Sequence, residues 1–285
     1  MVVTVQAYHS FTTSSILQKD KGADMRGFAV LGSSSKANAY ALQSQDAVLL
    51  IDNGFSCREL LRRLDSMGAQ PAQVCAVLVT HNHIDHTRGV PLLAKKLGIP
   101  VYLPRPMTRV LPWKDLAVKP TDPEEEFMVG PFRVLPFRTY HDTDASVGYS
   151  IACEDLRITI ITDTGRTDER MAEIAGVSDL LCVETNYCEH LLASGRYPPF
   201  LKRRIASSAG HLSNSDALAL LQQLDEVTQF IFLCHLSGEN NSPETVRELL
   251  DHHQVPCRDR TVICRRGEMY LQQLMDVKTR RNTGL

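Results

Sequence analysis

The stretch "HNHIDH" at residues 81–86 constrains the fold more than any other part of this 285-residue chain. It places three histidines and one aspartate within six positions, directly after the apolar run "VCAVLV". Such a run predicts a buried strand, so the cluster is expected in a loop at the carboxyl end of that strand. Four such groups together are uncommon in an ordinary loop. Imidazole and carboxylate groups together are ligands for zinc, iron or manganese. The sequence therefore predicts a metal site at a sheet edge.

The spacing inside the cluster indicates more than one ion. In an extended or turning backbone His81 and His83 point to one side, while Asp85 and His86 turn to the other. A bridging carboxylate can hold two cations close enough to share one hydroxide. We therefore expect two divalent ions at a site built largely from one loop. The identity of the ions stays open, because the same ligands accept zinc, manganese or iron.

Predicted strands in the second half of the chain end in further ligand-type residues. The runs "FRVLPFRTYH", "RITIITDTG", "DLLCVETN" and "FIFLCHLS" are predicted strands. They lead to His141, Asp163, Glu184 and His235. Strand ends at one edge of a sheet converge in space, so these four side chains are expected to meet the loop at 81–86.

The rest of the chain alternates between strands and helices. The runs "RGFAVLG", "AVLLIDNG" and "SVGYSIAC" are further predicted strands, while "GVPLLAKKLG", "RTDERMAEIAG" and "SNSDALALLQQLD" are predicted helices. The segment "SCRELLRRLDSMG" predicts a helix capped by Ser56, with Gly68 at its carboxyl end. We expect one domain over residues 25–275, after a loose extension at 1–24 and before a tail at 276–285.

Composition excludes several classes of protein. A hydrophobic fraction of 43% and a charged fraction of 22% are ordinary for a soluble globular protein. The net charge of -2 excludes a generally basic nucleic-acid coat, so an anionic partner must be met by a local cationic groove. The apolar runs are far shorter than the roughly 18 residues of a membrane span, so no membrane partner is expected. Eight cysteines without C-x-x-C spacing indicate buried thiols in a reducing compartment, which favours the cytoplasm.

Several motifs together resemble a known family. "THNHIDHTRGV" is similar to the signature loop of the metallo-β-lactamase superfamily. Further similarity to its YycJ (WalJ) subfamily lies in "VLGSSSKANAY", "HDTDASVGYSI", "TDTG", "VETN", "GRYPPFLKRRI", "GHLSN" and "CHLSGENN". The resemblance implies an α/β fold, the four-layer αβ/βα metallo-β-lactamase sandwich. It also implies a metal-dependent hydrolase, a 5′ to 3′ exonuclease that acts on double-stranded DNA.

The resemblance also assigns roles to individual residues. It implies that the first ion is held by His81, His83 and His141, the second by Asp85, His86 and His235, and that Asp163 bridges them. A similar comparison with ribonuclease Z makes Glu184 and His211 a candidate proton relay. In the resulting hypothesis Asp85 orients a hydroxide that bridges the metals, and His211 protonates the leaving oxygen.

Residues that could bind the substrate are expected around this site. The compact basic run "LKRRI", with Lys202, Arg203 and Arg204, could bind backbone phosphates, although a solvated helix face is equally consistent with it. Hydroxyl and amide donors for substrate are expected from Ser33, Asn38 and Asn240.

The opening loop departs from the subfamily pattern, because Ser34 and Ala37 stand where glycine is expected. A different loop path is therefore predicted there, which bears on any pocket for a terminal phosphate.

Other functions remain alternatives at this point. A small-molecule ester or thioester hydrolase, or a cyclic phosphodiester hydrolase, would use the same fold and metals. A flavodiiron-type redox enzyme would need a carboxylate between the first two histidines, where this chain has Asn82. A scaffold module that has lost catalysis would be expected to lack some ligands, whereas all seven are present here.

Overall fold

The strands of this protein form two sheets that stack against each other. The structure, a computed structural model, describes residues 6–8, 26–143, 145–224 and 227–274. The strands are β1 Gln6–Tyr8, β2 Arg26–Gly32, β3 Ala39–Ser44, β4 Ala47–Ile51, β5 Val74–Leu78, β6 Val101–Pro104, β7 Val118–Thr121, β8 Phe127–Val129, β9 Phe132–Arg138, β10 Val147–Cys153, β11 Leu156–Ile161, β12 Leu180–Glu184, β13 Phe230–Cys234, β14 Thr261–Ile263 and β15 Met269–Gln273. The rest of the predicted extension at 1–24 and the predicted tail at 276–285 lie outside these ranges.

Most helices of the described chain pack on the outer faces of the sheets. The helices are α1 Cys57–Ser66, α2 Ile84–Thr87, α3 Val90–Leu97, α4 Glu169–Gly176, α5 Glu189–Ser194, α6 Pro199–Ile205, α7 Asn214–Leu221 and α8 Pro243–His252. Short 3₁₀ segments occupy Pro71–Gln73, Arg105–Arg109 and Arg258–Arg260. Within the part of the chain that the structure describes, no helix is long and apolar enough to cross a bilayer.

Alternating side chains along the strands produce the layers. The first sheet has the order β1, β15, β2, β3, β4, β5, β6, β7, and the second has the order β14, β13, β12, β11, β10, β9, β8. In β4, Leu49 and Ile51 point into the core between the two sheets. Their neighbours Val48 and Leu50 point to the opposite face, against α1 and α3. A third core packs the second sheet against α4, α7 and α8, which completes the predicted αβ/βα sandwich.

The connection from β4 to β5 forms as its sequence predicts. The Ser56 hydroxyl caps α1 by accepting a hydrogen bond from the backbone N–H of Glu59. Gly68, just beyond the helix, has a φ of 82°, a left-handed conformation that glycine adopts without strain. The capped helix packs Leu60 and Leu64 onto the first sheet and returns the chain to β5.

Strand direction brings the candidate residues to one edge. In the first sheet β4, β5 and β6 run parallel, and in the second β11, β12 and β13 run parallel to each other. β9 has the same direction as β11, because both pair antiparallel with β10. The backbone N–H of Val147 donates to the Thr80 carbonyl at 3.0 Å, which joins the two sheets beside the loop at 81–86.

Candidate metal centre

The seven predicted metal ligands meet in one cluster at this edge. One group of ligand atoms that lie within 4.8 Å of one another comes from His81, His83 and His141. A second group comes from Asp85, His86 and His235. Asp163 takes part in two further groups, one with His81 and His86 and one with Glu184, His211 and His235. Asp163 therefore lies between the two halves, where a bridging carboxylate would be needed.

The loop at 81–86 serves both halves because it changes conformation within a few residues. His81, Asn82 and His83 follow β5 as a non-helical segment, and Asp85 and His86 lie in the single turn of α2. His83 Nδ1 lies 3.2 Å from His141 Nε2, and His86 Nε2 lies 3.2 Å from an oxygen of Asp163. The change from extended chain to helix thus turns successive side chains toward different halves of the cluster.

Partners outside the cluster orient most of the imidazole rings through Nδ1. The Nδ1 of His81 lies 2.9 Å from the Thr80 hydroxyl, and that of His141 donates to the Gly210 carbonyl at 2.7 Å. The Nδ1 of His235 donates to Glu184 at 2.8 Å. Binding Nδ1 in this way turns Nε2 inward, which is the usual arrangement around a protein-bound metal.

Asp52 has the same orienting role for His86, and our sequence analysis missed it. Its Oδ2 accepts hydrogen bonds from His86 Nδ1 at 2.7 Å and from the Thr80 hydroxyl at 2.7 Å. Its Oδ1 accepts from the backbone N–H of Thr80 at 2.8 Å. Asp52 directly follows β4, so the rule that polar residues end the strands of this protein would have identified it. We did not apply that rule to the first sheet.

Three residues of this edge adopt a backbone conformation that is uncommon for side chains with a Cβ. Asp52, Asp163 and His235 have φ values of 59°, 52° and 57°. Each follows a strand of the parallel sets within two residues, and the left-handed turn directs its side chain into the cluster. Non-glycine residues in this region are strained, and such strain concentrates at functional sites.

Two atoms of the cluster lack any hydrogen-bond partner. The Nε2 atoms of His81 and His235 are buried and make no hydrogen bond within the part of the chain described. A buried polar atom left unpaired costs roughly 1–3 kcal/mol, so each such atom requires an explanation. A bound cation would satisfy both, and the surrounding nitrogen and oxygen donors are those that zinc, manganese or iron accept. The residues present therefore fit a divalent metal.

Glu184 connects the cluster to His211. The carboxylate is fully buried, and its Oε1 accepts hydrogen bonds from His211 Nδ1 at 2.7 Å and from His235 Nδ1 at 2.8 Å. Its Oε2 accepts from the backbone N–H groups of Thr164 at 3.0 Å and Leu212 at 3.3 Å. All hydrogen-bonding directions of the carboxylate are thereby used within the protein. Glu184 can hold His211 in one tautomer and one orientation.

Electrostatics separate the roles of these groups. Burial raises the pKa of Glu184, but the adjacent His211 and His235 outweigh it and hold that pKa at about 2. Burial lowers the pKa of His211, and the Glu184 carboxylate more than offsets this, so the net shift is upward. Burial and the neighbouring His86 hold the pKa of His81 well below its ordinary value. These shifts favour the neutral imidazole at His81, as a metal ligand requires, and the protonated form of His211 beside Glu184.

Comparison with known proteins identifies the family of this chain. A model of the beta-lactamase superfamily domain matches residues 48–235, more than half of the chain. The chain belongs to this superfamily. The exodeoxyribonuclease WalJ of Streptococcus pneumoniae is 32% identical over 225 residues, which cover 76% of this chain and 84% of WalJ. The exodeoxyribonuclease YycJ of Bacillus anthracis is 32% identical over 227 residues, which cover 77% of this chain and 86% of YycJ.

A solved structure supports the superfamily fold independently. The metallo-beta-lactamase fold protein YhfI of Bacillus subtilis matches with a TM-score of 0.66 at 20% identity. The match covers 87% of this chain and all of YhfI. The beta-lactamase superfamily sandwich predicted from the sequence is therefore the fold of this chain.

The loop between β2 and β3 supports the cluster through buried hydrogen bonds. Asn38 is buried, and its Nδ2 lies 3.3 Å from Asp85 Oδ2 and 2.9 Å from His86 Nε2. Ser33 is also buried, and its hydroxyl accepts a hydrogen bond from the backbone N–H of His235 at 2.7 Å. The groups that we predicted to contact substrate are thus bonded to metal-site residues inside the protein. Ser35 and Lys36 are the exposed residues at the tip of this loop.

The loop needs no glycine where we expected it. Neither Ser34 nor Ala37 has a positive φ. The Ser34 backbone N–H donates to Asn38 Oδ1 at 2.9 Å, and the Ser34 hydroxyl accepts from the N–H of Ala37. Glycine matters instead at Gly54, because a Cβ there would lie 1.8 Å from the Asp85 carbonyl oxygen. The close approach of two loops therefore depends on the "DNG" turn after β4.

The predicted basic run forms α6 beside the cluster. Arg204 forms an ion pair with Asp142, the residue after His141. Lys202 Nζ donates to the Ala193 carbonyl at 2.6 Å, and Arg203 is exposed. A cation that we did not predict, Arg166, lies with its guanidinium carbon 3.9 Å from the centroid of the Tyr140 ring. No sequence pattern marks that arginine, since it is a single charge in a loop.

Asn240 is held by hydrogen bonds within the protein. It is buried, its carbonyl accepts a hydrogen bond from the Cys188 N–H at 2.9 Å, and its own N–H donates to the Ser237 hydroxyl at 3.2 Å. These bonds tie the chain after His235 to the segment that precedes α5. The contacts of Asn240 are therefore structural, and a contact with substrate remains only a prediction.

Proposed function

We propose that this chain is a metal-dependent exonuclease that removes nucleotides from the 5′ end of double-stranded DNA. The observation that carries the proposal is the convergence of all seven candidate ligands with the Glu184 and His211 pair at one edge of the fold. The exodeoxyribonuclease relatives, which align with most of this chain, supply the substrate class. The direction of cleavage and the preference for duplex come from the subfamily resemblance.

The cluster would hold two divalent ions, zinc or manganese, with iron also compatible. One ion would be held by His81, His83 and His141, the other by Asp85, His86 and His235, with Asp163 between them. When bound, divalent ions supply positive charge for the phosphate and acidify water so that it can act as a nucleophile at neutral pH.

Asp85 is the ligand best placed to orient the attacking water. Its side chain is 19% exposed, whereas those of His86 and Asp163 are almost fully buried. Asn38 lies 3.3 Å from one of its oxygens, which fixes the carboxylate in place. Asp85 can therefore accept a hydrogen bond from water that enters from the solvent side and direct it toward phosphorus.

His211 would supply the proton for the leaving group. Its Nδ1 is bonded to Glu184, so Nε2 is the atom left to face the substrate. Hydrolysis breaks the bond between phosphorus and the 3′ oxygen of the released nucleotide, and forms a new bond between phosphorus and the oxygen of water. The departing 3′ oxygen takes the Nε2 proton of His211, and the remaining strand keeps a 5′ phosphate.

Small-molecule ester hydrolysis is the alternative that the relatives do not favour. The exposed Arg203 on α6 also suits a polyanion better than a neutral ester. The cytoplasm remains our proposed location, and it accords with eight free cysteines, of which six are buried.

Digestion of defined substrates tests the proposal. Wild-type protein and Asp85→Ala would be incubated, with manganese or zinc, with duplex DNA that carries a 5′ phosphate or a 5′ hydroxyl. Single-stranded DNA, RNA and a small phosphodiester would be run in parallel. We expect nucleotide release from the 5′ end of duplex DNA, abolished in Asp85→Ala but not in Asp122→Ala, a half-buried carboxylate paired with Arg105. Cleavage of the small ester alone by the wild type would refute the assignment to DNA.

A further inference from the structure

Phe200 is a hydrophobic side chain that is not part of the cluster described above. It is 66% exposed, and it is the only aromatic ring among the exposed large hydrophobic residues of the described chain. These residues are Ile84, Leu92, Val110, Met128, Val177, Phe200 and Val227. A single exposed apolar residue is common in proteins, so its position must carry the argument.

Helix α6, which contains Phe200, is fixed against the candidate metal centre at its carboxyl end. Arg204 pairs with Asp142 next to His141, and the carbonyl of Ile205 accepts a hydrogen bond from the His211 N–H at 2.9 Å. The chain after α6 packs tightly onto the loop that follows Asp163, because a Cβ on Gly165 would lie 2.3 Å from the Ser207 carbonyl oxygen. The helix therefore cannot shift without moving His211.

The helical repeat then determines the direction of the Phe200 ring. Phe200 and Arg204 are four residues apart, so their side chains project from the same face of the helix. Arg204 reaches Asp142 at the rim of the cluster, and Phe200 lies one turn, about 6 Å, farther along the same face. The ring is therefore in solvent, one helical turn from the Arg204 and Asp142 pair beside the cluster.

Cations follow Phe200 in the same short helix. Arg203 is exposed and forms no ion pair with any residue that the structure describes, while Lys202 and Arg204 flank it in sequence. An aromatic ring set among cations is the combination by which proteins bind exposed bases of nucleic acids, because the base stacks on the ring and the phosphates meet the charges. The charge pattern thus favours a nucleotide over an apolar peptide as the occupant.

The chemistry of the proposed function indicates which nucleotide reaches α6. His211 would protonate the 3′ oxygen of the nucleotide that is released, so that nucleotide lies on the side of the cluster where His211 and α6 are joined. We propose that Phe200 stacks against the base of the released 5′-terminal nucleotide and positions it for cleavage. This inference rests on the proposed function and adds a site for the terminal base.

The experiment compares steady-state kinetics on two duplexes that differ only at the 5′ end. One duplex carries a normal 5′-terminal nucleotide, and the other carries a tetrahydrofuran abasic residue there. Phe200→Ala is expected to raise KM on the normal duplex by about fivefold or more with kcat within twofold, as expected for loss of one base stack. On the abasic duplex Phe200→Ala and wild type are expected to have the same KM.

Two further variants exclude a general effect on the fold. Phe200→Tyr keeps the ring and is expected to retain the wild-type KM. Met128→Ala removes a similarly exposed apolar side chain from β8, the edge strand of the second sheet, and is expected to change neither constant. Met128 pairs there with Arg133 near the amino end of β9, whereas His141 follows the carboxyl end of β9.

The outcomes distinguish the inference from the function on which it rests. A wild-type protein that releases no nucleotide with any metal would refute the function itself. A wild-type protein that digests both duplexes, with Phe200→Ala raising KM equally on both or on neither, would overturn the stacking role while the exonuclease assignment remained intact.

Discussion

The metal cluster and helix α6 face the same space, but the protein holds them in different ways. In the cluster each candidate ligand contacts another ligand or a buried partner, as Asp163 does with His86 and His235. Helix α6 makes contacts to the site mainly at one end, through Arg204 and Ile205, and leaves Phe200 and Arg203 in solvent. The difference indicates that the two regions have separate roles. Changes in the cluster should affect metal binding and turnover, whereas changes on α6 should affect substrate binding.

The largest effect is expected at the centre of the cluster. Asp163→Asn keeps the shape of the side chain but removes the charge that faces both halves. We expect metal content to fall and activity to drop by more than about 100-fold, beyond the range usual for partners outside a metal site. Metal analysis of purified protein and the duplex assay measure both quantities. Full metal occupancy in Asp163→Asn would show that the carboxylate does not bridge the two halves.

The next effect tests whether the proton relay is separate from metal binding. His211→Ala should retain its metal while kcat on DNA falls by roughly 10² to 10⁴, the range for loss of a general acid. A thymidine p-nitrophenyl phosphodiester, whose leaving group needs no proton, should be cleaved by this variant at close to the wild-type rate. An equal loss on both substrates would make His211 a structural residue.

A smaller effect is expected from Asp52, the buried carboxylate that binds His86. Asp52→Asn weakens the bonds that orient His86 and Thr80, so metal affinity should fall by about 10- to 100-fold. Competition with a chelator measures the affinity, and saturating metal should restore most of the activity. Normal affinity in Asp52→Asn would mean that His86 needs no such support.

The smallest effect is expected on the exposed side of α6. Arg203→Ala should raise KM for DNA a few-fold and reduce the slope of log KM against log salt by about 0.9, the contribution of one phosphate contact. Its kcat should not change. Arg258→Ala provides the control. Arg258 is an exposed arginine paired with Asp251, and it precedes β14 at the amino ends of the parallel strands, whereas the candidate site follows their carboxyl ends. The same salt slope in both variants would remove α6 from the DNA interface.

The sequence predicted most of the metal cluster because its members follow strands whose apolar pattern is clear. His141, Asp163, Glu184 and His235 each follow such a run, and the parallel direction of those strands brings them together. Asp52 satisfies the same rule and was overlooked only because it stands alone, without a second ligand nearby in sequence.

Other features depended on contacts that no local pattern contains. Ser33 and Asn38 lie in a serine-rich turn that resembles a surface turn, yet loops from distant parts of the chain cover them. Strands β6, β7 and β8 have only three or four residues each, too few to produce a recognisable alternation. Phe200 is one apolar residue in a short basic helix, and its exposure follows from how α6 packs.

The left-handed backbone at Asp52, Asp163 and His235 has a consequence for how this protein can evolve. Such conformations cost roughly 1–3 kcal/mol each, and glycine would remove that cost. A descendant released from selection for catalysis could lose this strain by accepting glycine, but at Asp52 it would also lose the buried hydrogen bonds to Thr80 and His86. The three strained residues are therefore positions where backbone strain is balanced against the side-chain contacts of the candidate site.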